Sequence, residues 1–399
     1  MTLEDFTRDS VIFRDESVLR ESYTPSRLLE REEELRSYQN ALQPVINSAP
    51  PKNIFVYGQT GVGKSLSTSL VLNKLQEDAE QYDDVNIEVV SVVCKSLTSS
   101  YQVAVRLVNE LCDAGDKIAK RGHSEADVYE MLWDELNSID ASHCLFVLDE
   151  IDSIGNDDTI LYQLPRCTAN GSVNGTMVGV IGISNDFTFR DQLSARVQDT
   201  LCDEEIHFPP YDSEELRTIL AHRIERAFID GVVGDDVVPL CAAYAARESG
   251  SARLGLRILY KAGDLARATN QKTVTEKHVE EALETVKQSR IRDELESLPT
   301  HSHLVLGALL THSERGELPV KRKDIYKQYR VYANNFDFEV KTARTIHNRL
   351  SDLAVKGFVT INERNQGIKG GNYYEYDLNI DSELVRDVLT SSSEFGERL

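Results

Sequence analysis

This sequence predicts a parallel α/β sheet domain, a helical segment after it, and a smaller helix-rich domain with a short β-hairpin at its C-terminal end. Three observations carry that expectation. Apolar, β-branched runs alternate with amphipathic helical stretches from Ile54 to Phe208, the pattern of a parallel sheet covered on both faces. The turn after the first run reads Gly58-Gln-Thr-Gly-Val-Gly-Lys-Ser65, which fits the phosphate-binding template at every constrained position. Beyond Thr300, three helical stretches precede two strand-like runs, the order of a winged helix.

The phosphate loop has a physical logic. Ile54 to Tyr57 reads as a buried strand, and Leu66, Leu70 and Val71 begin an amphipathic helix. Glycines let backbone N–H groups approach phosphate oxygens, and the helix start adds partial positive charge. Lys64 can reach the β- and γ-phosphates, and Ser65 can hold Mg²⁺. A glycine-rich turn that binds nothing would not need both a strand before it and a helix after it. The nucleotide-contacting set is therefore Gly58, Thr60, Gly61, Val62, Gly63, Lys64, Ser65 and Leu66, for ATP or ADP with Mg²⁺.

Taken in order, Met1 to Glu21 shows little pattern and reads as a mobile arm. Tyr23 to Leu42 opens on a Thr-Pro-Ser start signal and reads as a helix. Ile87 to Cys94 is a second strand, Thr98 to Ala119 a helix, and Asp113 to Ser124 a polar stretch with Lys117, Lys120 and Arg121. Glu125 to Ile139 is helical, and Cys144 to Leu148 is a strand ending in Asp149-Glu150. Acids at the end of such a strand suit Mg²⁺ held through water by Asp149 and an attacking water polarised by Glu150. An acidic loop has the same letters, but its distance from the phosphate loop favours the chemical reading. Met177 to Ile183 is another strand, and Asn185 follows it either as a turn residue or beside the γ-phosphate. Leu193 to Leu201 is helical and contains Arg196, Glu205 to Phe208 is a strand, and Pro209-Pro210-Tyr211 breaks that strand. Helical patterns at 213–228, 236–249, 252–270 and 275–298 then form a lid.

In the C-terminal part, helices are expected at 303–311, 323–332 and 340–356, stopped by Gly357, with strands at 358–363 and 373–378. The third helix of a winged helix enters the major groove. Its polar members here are Lys341, Thr342, Arg344, Thr345, Asn348 and Arg349, with Ile346, Leu350 and Leu353 facing the core. Arg364 and Lys369 belong to the wing. Between Val320 and Gly371 stand eleven basic and five acidic residues, a local +6. That is the electrostatic footprint of a DNA surface; a winged helix used for protein contacts is the alternative. The expected boundaries are an arm at 1–22, a nucleotide-binding core at 23–210, the lid at 211–298, the winged helix at 299–390 and a tail at 391–399.

Composition sharpens this. The chain has 399 residues and a net charge of −22, yet 300–399 is neutral, so the acidity lies before it. Strong acidity argues against nucleic-acid binding in general, but it suits a protein kept dissolved in very high salt, with cations concentrated where DNA docks. No run of about 18 apolar residues suggests a membrane span. The six cysteines lack metal or disulfide spacing and read as buried thiols in a reducing cytoplasm.

With these pieces placed, the sequence resembles the archaeal initiators of DNA replication. These are AAA+ ATPases related to the eukaryotic origin recognition complex and its helicase-loading partner. Leu29-Glu-Arg-Glu-Glu-Glu-Leu35 is similar to the family's motif beside the adenine, Leu148-Asp-Glu-Ile-Asp152 to its acidic motif, and Ile181-Gly-Ile-Ser-Asn185 to its first sensor. Arg196 through Tyr211 resembles the arginine-finger region, and Gly250-Ser-Ala-Arg253 the second sensor. The resemblance implies that Asn185 and Arg253 sense the γ-phosphate, that Arg196 acts on a neighbouring subunit's ATP, and that Tyr211 and Arg223 line the nucleotide pocket. It also implies a DNA-contacting insertion, here around Lys117, Lys120 and Arg121. Lys64-Ser65 replaces a commoner Lys-Thr, Ser251 stands where an acid is usual, and Asp199-Thr200 is unusual in the finger region. The implied partners are double-stranded origin DNA, the replicative helicase and other initiator subunits, with no membrane. The acidity implies a halophilic source, and the chain is expected in the cytoplasm at the nucleoid. Competing readings are an AAA+ loader or regulator without sequence-specific DNA binding, and a nucleotide-switched transcription factor.

Overall fold

The computed structural model describes residues 11–155, 157–365 and 372–391. The chain divides into two units, Met1–Ala282 and Leu283–Leu399. The first is built on five strands: β1 (Ile54–Gly58), β2 (Ile87–Val93), β3 (His143–Asp149), β4 (Met177–Ser184) and β5 (Glu204–Phe208). All neighbours are parallel, in the order β2-β3-β4-β1-β5. Ile54, Phe55 and Val56 are buried, as are Cys144 to Leu148, because both sheet faces are covered. The covering helices are α1 (Glu32–Ile46), α2 (Lys64–Ala79), α3 (Ser100–Leu111), α4 (Glu125–Ser138), α5 (Thr159–Arg166), α6 (Phe189–Gln192) and α7 (Ala195–Leu201). Register aligns Asp149 with Ile183 on β4, and Tyr57 on β1 with Ser184. The loops after β1, β3 and β4 therefore meet at one carboxyl edge, where open α/β sheets bind ligands.

A lid of α8 (Ser213–Ala227), α9 (Val237–Glu248) and α10 (Ala252–Ala268) follows, and α11 (Glu276–Glu296) runs out of it. Asp212 and Glu215 form a capping box at the start of α8.

Three expectations change here. The described part of the arm, from Val11, is packed: Ile12, Phe13, Val18 and Leu19 are buried. The Phe13 ring lies 4.9 Å from that of Phe228, tilted by 37°, and a Cβ on Gly263 of α10 would lie 2.5 Å from the Phe13 ring. Four apolar residues in a polar segment carry no periodicity, so only their burial reveals them. Second, α1 starts at Glu32, because Tyr23 to Arg31 instead runs irregularly past the cleft; Glu32, Glu33 and Glu34 then occupy its first turn, favoured by the helix dipole. Third, α3 stops at Leu111. The Asn109 side chain binds both the N–H and the C=O of Ile118, which folds the chain back and places Lys117, Lys120 and Arg121 on an exposed connection.

The second unit holds α12 (Thr300–Glu314), β6 (Val320–Lys321), α13 (Arg322–Asn335), α14 (Ala343–Val355), β7 (Val359–Asn365), β8 (Asn372–Leu378) and α15 (Ser382–Ser391). Its sheet is antiparallel in the order β6-β8-β7. Ile346, Leu350 and Leu353 of α14 are buried with Leu304, Ile325, Tyr329 and Val359 in one core, as their helical spacing requires.

Candidate functional site

The loop between β1 and α2 is shaped by glycines that no other residue replaces. Gly61 has φ +84°, and a Cβ there would lie 2.0 Å from Ser251 Oγ of the lid. Gly63 has φ +101°, and its Cβ would approach the Tyr211 hydroxyl at 3.2 Å. Lys64 follows on the first turn of α2 and is buried. Its ammonium donates to the carbonyls of Gly58 (2.7 Å) and Gln59 (2.8 Å) and to Asn185 Oδ1 at 2.8 Å. Burial pushes the Lys64 ammonium down to about 8, against the pull of Asp149 and Asp152.

Ser65 Oγ donates to Asp149 Oδ2 at 2.6 Å. A hydroxyl and a carboxylate touching in this way offer hard oxygen donors, the set that suits Mg²⁺. Glu150 has φ 56°, a left-handed conformation uncommon outside glycine and frequent at functional sites. Its N–H donates to Asp149 Oδ1 at 2.9 Å.

Asp152 closes the acidic motif Leu148-Asp-Glu-Ile-Asp152, and the sequence assigns it no role of its own. Its Oδ1 accepts from Ser184 Oγ at 2.9 Å and from the Asn185 N–H at 3.0 Å. It thereby fixes the end of β4 and points the Asn185 amide at Lys64. The repeated acid in Asp149-Glu-Ile-Asp152 was the available signal.

A cleft of about 720 Å³ opens between these groups and the lid. Thr60, Gly61, Gly63, Lys64, Ser65, Leu66, Asp149, Glu150, Asn185, Tyr211, Arg223 and Arg253 all line it. Arg223 donates to Val18 O at 3.3 Å, and its guanidinium carbon lies 4.6 Å from the Tyr23 ring centroid. Arg253 is half-exposed, with Glu21 at 4.0 Å. Gly58 and the Val62 side chain are buried away from the cleft. Arg196 is not in it either: it is exposed on α7 and lies over the Tyr162 ring at 4.9 Å.

In the second unit, Arg344 and Asn348 are exposed one turn apart on α14, with Thr345 and Arg349 half-buried. Arg349 sits 3.6 Å from Asp352. Lys341 and Thr342 are not members of the helix, which starts at Ala343. Thr342 caps it, accepting from the Thr345 N–H at 3.2 Å, and Lys341 is ion-paired with Glu339. The cap fixes the start because Thr342, in extended backbone, satisfies one of the first free N–H groups, that of Thr345. Arg364 lies on β7 beside Glu375 at 3.3 Å; Lys369 lies outside the described residues.

A parallel sheet with a phosphate loop after β1, acids at the end of β3, a polar residue after β4 and a helical lid across the cleft defines an AAA+ ATPase. The family model described as AAA domain matches residues 49–186. The Cdc6 AAA+ ATPase-type lid domain matches 217–284, and the CDC6 C-terminal winged helix domain 293–388. ORC1-type DNA replication protein 1 of Haloarcula marismortui is 53% identical over 412 residues, covering 100% of this chain and 97% of the relative. The ORC1-type DNA replication protein of Thermococcus kodakarensis is 35% identical over 388 residues, covering 96% and 92%. Among solved structures, the Aeropyrum pernix ORC1 protein in complex with DNA superposes with a TM-score of 0.83 at 32% identity, covering 97% of this chain and 98% of that one. The chain belongs to the ORC1-type DNA replication proteins.

Proposed function

We propose that the chain is a nucleotide-switched initiator that binds duplex origin DNA and recruits the replicative helicase. The observation that carries the enzymatic half is the meeting of Lys64, Ser65, Asp149, Glu150 and Asn185 at one cleft, with Arg253 on its lid side. In this reading Lys64 holds the β- and γ-phosphates, and Ser65 with Asp149 holds Mg²⁺. The metal, when bound, would neutralise charge on the phosphate oxygens. Glu150 orients the attacking water, Asn185 and Arg253 contact the γ-phosphate, and Tyr211 and Arg223 flank the nucleotide. Arg196, outside its own cleft, serves a neighbouring subunit's ATP. These are steps in the cytoplasm, at the nucleoid.

Lys64 gives this reading a pH signature. Phosphates favour its ammonium form, so binding above pH 8 takes up a proton. With the free-state value near 8, ATP affinity falls about tenfold between pH 7 and pH 9. Calorimetry in buffers of different ionisation enthalpy reads both the affinity and the proton. Equal affinities at the two pH values would contradict the contact.

The DNA half is supported by Arg344 and Asn348 on one exposed face of α14, by the local +6, and by the Aeropyrum relative's complex with DNA. Both side chains suit base edges in the major groove. Arg364 and Lys369 would place the wing. Lys117, Lys120 and Arg121 would grip a second stretch, and two grips can bend or untwist a duplex. Few cations release few counterions, so the salt slope is shallow. The test is a footprint on an origin fragment at molar salt. Arg344→Ala should lose one part of the protection, at a cost of about 1–3 kcal/mol, and Lys120→Ala with Arg121→Ala another. One footprint, lost whole with Arg344→Ala and untouched by the double change, leaves only the winged helix. No footprint with the unaltered chain would favour the loader reading.

A further inference from the structure

One charged side chain is enclosed within the first unit without facing the phosphate wall of the cleft. Arg31, at the N-cap of α1, is 2% exposed. Its Nε donates to the Val62 carbonyl at 3.1 Å, and its two terminal nitrogens donate to Pro209 O at 2.6 Å and Glu30 O at 3.2 Å. The guanidinium carbon lies 3.5 Å from the Tyr211 ring centroid. Glu34 stands 3.5 Å away as its counter-charge. Stability is a weak reason for such a residue, since apolar side chains of similar volume often serve a core as well as a buried ion pair.

Its contacts close a circuit. Val62 follows Gly61, whose carbonyl accepts from the Ala252 N–H at 3.1 Å. Ala252 lies two residues after Gly250, whose carbonyl accepts from the Tyr211 N–H at 2.9 Å. Tyr211 lies two residues after Pro209, where Arg31 is bonded. The phosphate loop, the connection from β5 into the lid, and the turn that begins α10 are thus tied in a ring, and Arg31 joins the ring's two ends. Arg253 is the next residue along that turn.

We propose that Arg31 is a positioning residue for ATP hydrolysis: it holds the lid in register with the phosphate loop so that Arg253 meets the γ-phosphate. The inference rests on the reading of Arg253 given above. A lysine cannot do the same work, because its ammonium is a point donor without a planar fork or a stacking face.

The test uses the full chain and five variants: Arg31→Lys, Arg253→Ala, the two combined, Glu34→Gln, which leaves the guanidinium in place and removes its counter-charge, and Glu34→Gln combined with Arg253→Ala. For each, kcat, KM, ADP affinity and melting temperature are measured. Arg31→Lys should keep ADP affinity within about threefold and lower kcat about tenfold, and the combined variant should turn over no slower than Arg253→Ala alone. Glu34→Gln should lower kcat by a smaller factor, with that loss absent in the Arg253→Ala background. Wild-type kcat in a folded Arg31→Lys, or losses that multiply in the combined variant, would overturn the proposal. If Arg31→Lys does not fold, wild-type kcat in Glu34→Gln overturns it. Wild-type turnover in Arg253→Ala would instead sink the Arg253 reading, and Arg31→Lys by itself then decides whether the clamp acts on hydrolysis.

Discussion

Lys64→Ala is expected to weaken ATP binding on the order of 100-fold, the loss of charge-assisted bonds of about 2–3 kcal/mol in all. Its ammonium is buried and lies against Gly58 O, Gln59 O and Asn185 Oδ1. These are acceptors that phosphate oxygens would replace as the ammonium's partners. The substitution removes the compact charge from the cleft and leaves those three acceptors without their donor. Turnover should fall with binding. Titration with a fluorescent ATP analogue, beside circular dichroism to show an unchanged fold, checks the result. An affinity within a factor of two of the unaltered chain would refute the phosphate-loop assignment.

Glu150→Gln should behave differently. The amide keeps the size of the carboxylate and removes its ability to take a proton. Binding should stay within about threefold while turnover falls by about 10²–10⁴, the range for a lost general base. This separation follows because water positioning acts in the transition state and not in the bound ground state. Turnover in the unaltered chain is itself expected to be slow if the nucleotide is the switch proposed above. Single-turnover hydrolysis measured beside equilibrium binding separates the two quantities. Equal losses in both would assign Glu150 to nucleotide binding and leave the water without its orienting group.

Much of this site is legible in the chain because its parts are local. The phosphate loop occupies eight consecutive residues between a strand and a helix, and its glycines are demanded by backbone angles that short-range sterics decide. The acids after β3 and the asparagine after β4 are read as strand endings, since parallel strands bring their carboxyl ends to one edge. The winged helix is similarly legible from helical and strand periods with a glycine stop. The helix start at Ala343 was less so, because Thr342 and Ala343 are both tolerated in a helix and only the cap bond from the Thr345 N–H tells them apart.

By itself, then, the sequence determined the order of elements, the phosphate-loop motif between a strand and a helix, and the placing of cations near the C-terminal end of an acidic chain. Each rests on spacings of a few residues. Tertiary structure alone decided the rest. It docked Ile12, Phe13, Val18 and Leu19, which have no period of their own. It turned Asp152 inward to hold Asn185, 33 residues away. It also buried Arg31 between Val62 and Pro209, the latter 178 residues distant in the chain. A hydrogen bond across such a separation leaves no local pattern, because its geometry is set by the packing of elements that the chain brings together only on folding.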